Sequence, residues 1–171
     1  PDEIEGYDDK LTRLQPEHLA LDVVKKHSIK MWTIIQTVLK QKKMIHGIYS
    51  HFVNEYGIAV MEKILDNLGW KSLERDEVTS IDQLEQLMLE EKKATGEMHT
   101  RYMVLTGKQA VESKDRMLHI VNTEKNAEHS YVRAIFYSGA AGLGISIYSV
   151  QQVHLLEPNW NTGDEEQAID R

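Results

Sequence analysis

Short apolar runs alternate with helix-periodic segments along most of this 171-residue chain, and this alternation restricts the fold more than any other feature. The candidate strands lie at residues 44–49, 101–105, 134–137 and 153–156. Each run is continuous, which is typical of strands that are buried on both faces of a sheet. Strands that alternate with helices favour a parallel sheet with helices on both sides. The sequence therefore predicts an α/β fold with a central, mostly parallel sheet.

Helical spacing of apolar residues predicts the segments that connect these strands. The expected helices cover residues 16–26, 28–42, 56–68, 81–93 and 112–121. Ser28 is the candidate N-cap of the second helix, and Gly69 is the candidate stop of the third. Segments 70–80 and 122–130 are expected to be irregular, and residues 1–10 are expected to form a poorly ordered arm.

The composition restricts the class of protein. The chain is 41% hydrophobic and 27% charged, as expected for one globular domain. Its net charge of −7 argues against a generally basic protein that coats nucleic acid, although a local groove remains compatible with it. There is no cysteine, which fits a reducing, intracellular compartment and excludes a thiolate metal site. No apolar run approaches the roughly 20 residues that span a bilayer, so we expect no membrane partner.

Small polar residues follow three of the candidate strands. Ser50 follows the first strand, Thr106 and Gly107 follow the second, and Ser138 and Gly139 follow the third. The carboxyl ends of parallel strands share one edge of a sheet, where ligands of such folds gather. Hydroxyl and backbone N–H groups at this edge can hold phosphates without reading bases. Residue by residue, ordinary turn or capping chemistry explains them equally well.

The final 38 residues combine an apolar run, a glycine loop, a second apolar run and the start of a helix. Gly139, Gly142 and Gly144 have the spacing G-x-x-G-x-G, which differs from the dinucleotide-binding order G-x-G-x-x-G. A tight turn that needs glycine is the alternative interpretation. Gln167 and Arg171 lie one helical turn apart and share a face, and a solvated helix end is the alternative for this pair.

This segment resembles motifs V and VI of the superfamily 2 helicases and translocases. Gly142-Leu143-Gly144-Ile145-Ser146 is similar to motif V, and Gln167-Ala168-Ile169-Asp170-Arg171 is similar to motif VI. Trp160-Asn161 matches the Swi/Snf branch and the helicases of large DNA viruses. More weakly, residues 48–52 resemble motif IV, and the Thr106-Gly107 turn resembles the strand end that touches the nucleic-acid backbone in this family.

The resemblance implies the C-terminal RecA-like lobe of such a motor, a three-layer domain over residues 28–171. Residues 1–27 would form an arm and a short helix, and residues 71–98 a helical insertion. A start at Pro1 and an end within motif VI predict a piece of a longer, intracellular protein, in the host cytoplasm or the virion if it is viral.

The resemblance also implies which residues act and on what. ATP and Mg²⁺ would bind between this lobe and an N-terminal lobe of the same protein. The catalytic residues would be Arg171 and Gln167, and the nucleotide contacts would be Gly142, Gly144, Ser146 and Arg171. Nucleic acid, with DNA favoured over RNA, would contact Ser50, Thr106, Gly107, Ser138 and Gly139, and Lys108 is a further candidate phosphate cation. The chain has no G-x-x-x-x-G-K-[ST] loop, so by itself it is expected to be inactive.

Other patterns are weaker. Asp76-Glu77-Val78-Thr79 and Asp164-Glu165-Glu166-Gln167 resemble a magnesium-binding D-E-x-x box, but neither follows an apolar strand closely. The eight histidines show no zinc-binding spacing, so no metal site is expected. A non-catalytic α/β interaction module derived from a helicase lobe is the alternative function. A nucleotide-cofactor enzyme would need a phosphate loop near the first strand, and none is present.

Overall fold

The computed structural model describes residues 13–54, 56–107, 109–139 and 145–157, and at its centre lies a five-stranded sheet. The strands are β1 (His46–Tyr49), β2 (Lys71–Ser72), β3 (Arg101–Leu105), β4 (Val132–Tyr137) and β5 (Gln152–Leu155). Their order is β2-β3-β4-β1-β5, and every pair of neighbours is parallel. The prediction of an α/β fold with a parallel sheet is confirmed.

Six α-helices surround the sheet in the described residues. They are α1 (Leu21–His27), α2 (Ile29–Lys40), α3 (Ile58–Asn67), α4 (Ile81–Thr95), α5 (Val111–Val121) and α6 (Glu124–His129). Ser28 caps α2 as predicted, because its Oγ accepts a hydrogen bond from the Met31 N–H at 3.3 Å. Gly96, at φ +82°, ends α4 in the left-handed conformation that glycine adopts without strain.

The two faces of the sheet carry separate apolar cores. Helices α1, α2 and α3 cover the face that presents Ile48, Tyr102 and Phe136. Helices α4 and α5 cover the opposite face, which presents Met103 and Ile135. The result is three layers, helix, sheet and helix, in which the central strands are buried on both sides. This explains why their sequences are continuous apolar runs.

Three local predictions were wrong. Segment 70–80 was expected to be irregular, but it contains β2 and a 3-10 turn at Leu73–Arg75. A two-residue strand is too short for any periodicity to show it. Segment 122–130 was expected to be a loop, but it contains α6, whose first turn is capped by Thr123. The single helix expected over 16–26 is divided at Ala20 into a 3-10 turn, Pro16–Leu19, and α1.

The helix predicted within the segment 71–98 exists, and it is part of the sheet architecture. Helix α4 connects β2 to β3, and Ile81, Leu84 and Met88 contribute to the core. The domain boundaries, including the status of 71–98 as an insertion, stay predictions. The N-terminal arm and the helix expected near the C-terminus lie outside the described residues.

Candidate functional site

The carboxyl edge of the sheet brings together three of the predicted site residues. Leu105 on β3 is in register with Tyr137 on β4, and Tyr137 is in register with Tyr49 on β1. The residues that follow, Thr106, Ser138 and Ser50, therefore lie side by side. The Ser138 N–H donates to the Leu105 carbonyl at 3.3 Å, and the Ser50 N–H donates to the Tyr137 carbonyl at 3.1 Å. We call these three hydroxyl-bearing residues the hydroxyl row.

At one end of the row, the Ser50 hydroxyl is held by a carboxylate. The Ser50 Oγ lies 3.1 Å from Glu157 Oε1, and the backbone N–H of His51 donates to Glu157 Oε2 at 3.2 Å. The Ser50 Oγ also accepts from the Phe52 N–H at 3.1 Å. Sequence reasoning missed Glu157, because the two groups it joins lie more than 100 residues away along the chain.

At the centre of the row, the Ser138 hydroxyl has no hydrogen-bond partner among the described residues, although Ser138 is 97% buried. A buried hydroxyl without a hydrogen bond costs free energy, and such a group in a folded protein is therefore a candidate for binding a ligand. The next residue, Gly139, lies so close to Tyr49 that a Cβ there would be 3.1 Å from the Tyr49 hydroxyl. That hydroxyl lies 3.3 Å from Nδ1 of His51. Gly139 thus allows close approach to the backbone beside Ser138.

At the other end of the row, a glutamine fixes the loop after β3. The Oε1 of Gln109 accepts from the Thr106 N–H at 2.9 Å, and its Nε2 donates to the Val104 carbonyl at 2.8 Å. Gly107 follows Thr106 and is exposed. The sequence did not single out Gln109, since a glutamine four residues after a strand has no distinctive pattern. Lys108 lies outside the described residues.

The predicted nucleotide contacts are not gathered at this edge by the part of the chain that the structure describes. Ser146 is exposed, and its carbonyl accepts from Nδ2 of Asn122 at 2.8 Å. Asn122 follows α5, which returns the chain to the amino end of the sheet. The role of Ser146 stays a prediction. Gly142, Gly144, Gln167 and Arg171 lie outside the described residues.

One of the rejected carboxylate patterns is structural. Asp76 Oδ2 lies 2.6 Å from Nε of the fully buried Arg101, and Glu91 Oε1 lies 2.8 Å from its Nη2. Burial opposes the charge of Arg101, but the hydrogen bonds that it donates to Glu91 and Asp76 outweigh this and hold its pKa above the ordinary value. Asp76 therefore fastens the segment after β2 to β3.

A pair of histidines, the buried His46 and the half-buried His154, lies toward the amino edge. Nδ1 of His46 lies 3.1 Å from Nε2 of His154 on the neighbouring strand. Burial, followed by the nearby His154, lowers the pKa of His46 to about 4, and burial lowers the pKa of His154. Both rings are therefore neutral at pH 7. In residues 13–157, apart from the gaps given above, no group of three or more histidine, cysteine, aspartate or glutamate side chains is arranged to hold a metal ion.

Two viral proteins are similar in sequence to this chain. A protein of Acanthamoeba polyphaga mimivirus named as an ATP-dependent RNA helicase is 25% identical over 158 residues, which cover 92% of this chain and 24% of that protein. A termination factor NPH-I homolog of African swine fever virus is 26% identical over 153 residues, covering 78% of this chain and 22% of that protein. No protein-family profile matches the chain.

A solved structure has a similar fold. The C-terminal part of the Fun30 ATPase domain superposes with a TM-score of 0.53 at 18% identity, over 82% of this chain and 35% of that one. The chain is thus similar in sequence to these two viral proteins, and its parallel α/β sheet has a RecA-like fold. It spans about a quarter of the length of its two viral relatives. In the part of it that the structure describes, no helix is both long enough and apolar enough to cross a bilayer.

Proposed function

We propose that this chain is the C-terminal motor lobe of an ATP-dependent nucleic-acid helicase or translocase. The observation that carries the proposal is the hydroxyl row at the carboxyl edge of a RecA-like sheet, with the unpartnered Ser138 hydroxyl at its centre. The viral relatives and the Fun30 fold support the same class of protein.

The chemistry of the row suits a sugar-phosphate backbone. Neighbouring strands lie about 4.8 Å apart, so three adjacent hydroxyls extend over roughly 10 Å. Hydroxyl and N–H donors of this kind bind phosphate oxygens and carry no sequence information. We therefore propose that the row contacts one strand of nucleic acid through Ser50, Thr106 and Ser138, with Gly107 and Gly139 allowing the backbone to approach closely.

The nucleotide part of the proposal rests on the motif resemblance. Gly142, Gly144 and Ser146 would contact ATP, while Gln167 and Arg171 would act on the transferred phosphate from this side of an inter-lobe site. A guanidinium stabilises the charge that develops in phosphoryl transfer, and such residues raise turnover by about 10³ to 10⁵. The lobe by itself, without a P-loop, is expected to hydrolyse no ATP, and its Mg²⁺ would be held mainly by the N-terminal lobe.

A pair of serine variants tests the nucleic-acid part. Ser138→Ala removes the unpartnered hydroxyl at the carboxyl edge, whereas Ser130→Ala removes another buried, unpartnered hydroxyl that lies just before the amino end of β4. We expect weak, salt-sensitive binding of labelled oligonucleotides to the wild type, and about tenfold weaker binding to Ser138→Ala only. Neither variant should lose stability, since neither removes a hydrogen bond within the protein.

The binding assay also addresses the type of nucleic acid. DNA is the partner that the motif resemblance favours, while one relative is named as an RNA helicase. Matched single-stranded DNA and RNA of one sequence, measured by fluorescence anisotropy at several salt concentrations, give the preference. Equal binding by the two serine variants, or binding that is insensitive to salt, would contradict the proposed contact surface.

A further inference from the structure

The hydroxyl row already contains an anion that belongs to the protein itself. The two oxygens of the Glu157 carboxylate face two donors. One is the Ser50 hydroxyl at 3.1 Å, which also lies 3.0 Å from the Phe52 carbonyl oxygen, and the other is the His51 N–H at 3.2 Å. A phosphate group offers the same arrangement, two oxygens with negative charge toward neighbouring donors. The donors that the proposed function assigns to a backbone phosphate are thus occupied at this end of the row.

The neighbouring hydroxyl is different. The Ser138 hydroxyl, on the strand beside Ser50, is buried and has no hydrogen-bond partner among the residues that the structure describes. The carboxylate therefore bonds to one end of the row and not to its centre. A nucleic-acid strand placed along the row would bring one phosphate to Ser138 and another close to the carboxylate of Glu157, where like charges repel.

We infer that Glu157 is an internal anion that takes the place of a backbone phosphate on Ser50 and His51 and must leave before nucleic acid fills the row. The inference rests on the proposed function. Glu157 lies two residues beyond the end of β5, outside the strand register, so its carboxylate can leave the edge without breaking a strand pair. In this role Glu157 weakens the binding of nucleic acid to the resting protein.

The test compares two variants that each remove one negative charge. Glu157→Gln keeps the size of the side chain and one acceptor oxygen but loses the charge. Glu128→Gln removes the same charge from an exposed position on α6, next to the amino edge, where Glu128 forms no ion pair with any residue that the structure describes. Binding of a labelled single-stranded oligonucleotide is measured for both, for the wild type and for Ser138→Ala, and melting temperature is followed to check folding.

We expect Glu157→Gln to bind the oligonucleotide about threefold to tenfold more tightly than Glu128→Gln. Glu157→Gln removes a negative charge next to the bound phosphate, whereas Glu128→Gln removes one that is distant from it. In ¹⁵N spectra, the His51 amide should move in Glu157→Gln and not in Glu128→Gln, which confirms that the carboxylate holds this donor in solution.

Two other results have different meanings. Equal or weaker binding by Glu157→Gln, while Ser138→Ala still binds less than the wild type, would overturn the role of Glu157 and leave the proposed function standing. Absence of salt-sensitive binding in every protein, including the wild type, would overturn the proposed function and the inference with it.

Discussion

At the scale of single residues, buried polar side chains in this lobe fall into two groups. Arg101 is satisfied by two carboxylates, so its burial fixes structure. Ser138 and His46 each keep a buried polar atom without a partner. An unpaired group of this kind costs about 1–3 kcal/mol. Ser138 lies at the edge of the sheet where we propose that nucleic acid binds. His46 lies at the opposite edge, and its burial makes the stability of the protein depend on pH.

The first residue-scale prediction concerns that dependence. The pKa of His46 is about 4 in the folded chain and about 6.5 in the unfolded chain, so the unfolded chain binds the extra proton between these values. The contribution of the neutral His46 to stability is therefore fully present above pH 6.5, and it is lost as the pH falls toward 4. We expect a loss of about 2 kcal/mol between pH 7 and pH 5 from this residue.

Urea unfolding at both pH values measures this loss, with His46→Asn as the test variant and His119→Asn, an exposed histidine on α5, as the control. The difference in stability between pH 7 and pH 5 should shrink in His46→Asn and stay unchanged in His119→Asn. The same pH dependence in all three proteins would show that His46 titrates normally.

At the scale of elements, the buried ion cluster connects β3 to its neighbours. Arg101 bridges from β3 to Glu91 on α4 and to Asp76, which follows β2 and its 3-10 turn. This cluster holds the short edge strand, which pairs with β3 through two residues. By contrast, the pair of Arg75 with Asp66 is exposed, at 3.3 Å.

These two ion pairs give a matched comparison of stability. Arg101→Gln should cost about 3–5 kcal/mol, because it leaves Asp76 without its cation and Glu91 with only the part-exposed Lys71, 2.7 Å away. Arg75→Gln should cost less than about 1 kcal/mol, because water screens its exposed pair. Chemical denaturation of both variants decides between these values, and a similar small cost for the two would mean that Arg101 is dispensable for holding β2.

The sequence predicted the elements whose signal is local. The apolar runs around β1, β3, β4 and β5, the periodicity of α2 to α5 and the cap at Ser28 are all properties of neighbouring residues. Strand β2 was not predicted, because its two residues are defined by pairing with β3 and not by a sequence pattern. Helix α6 was not predicted, because its one buried residue is the polar Asn126 and it therefore has no apolar periodicity.

For the candidate site, too, the sequence predicted only the features that are local along the chain. Polar residues after strands indicated Ser50, Thr106 and Ser138, since parallel strands place their carboxyl ends together. The contacts that decide their chemistry could not be predicted, because Glu157 and Gln109 meet the row through tertiary packing. Nothing in the sequence around Glu157 distinguishes a carboxylate that holds two donors from one that points into solvent.

At the scale of the whole molecule, the two edges of the sheet differ in chemistry. The carboxyl edge carries three hydroxyl-bearing residues, one of them the buried Ser138, and one carboxylate, and the amino edge carries the histidine pair. The net charge of −7 gives the chain no general attraction to nucleic acid, so the proposed binding would have to come from this local set of donors. In the proposed motor, an N-terminal lobe would add the remaining contacts and the phosphate-binding parts of the ATP site.

The most direct test of the central claim is to map the bound strand onto the isolated 171-residue chain by amide chemical shifts during titration with a single-stranded oligonucleotide at low salt. We predict that the amides of Ser50, His51, Gly107, Ser138 and Gly139 shift together and return when salt is added. The chemical shifts of amides at the amino edge, such as those of Ser130 and Gln152, should not change. Shifts confined to the amino edge, or to the apolar pocket that α1 and α2 line with Val24 and Met31, would contradict the claim that the carboxyl edge is the nucleic-acid track.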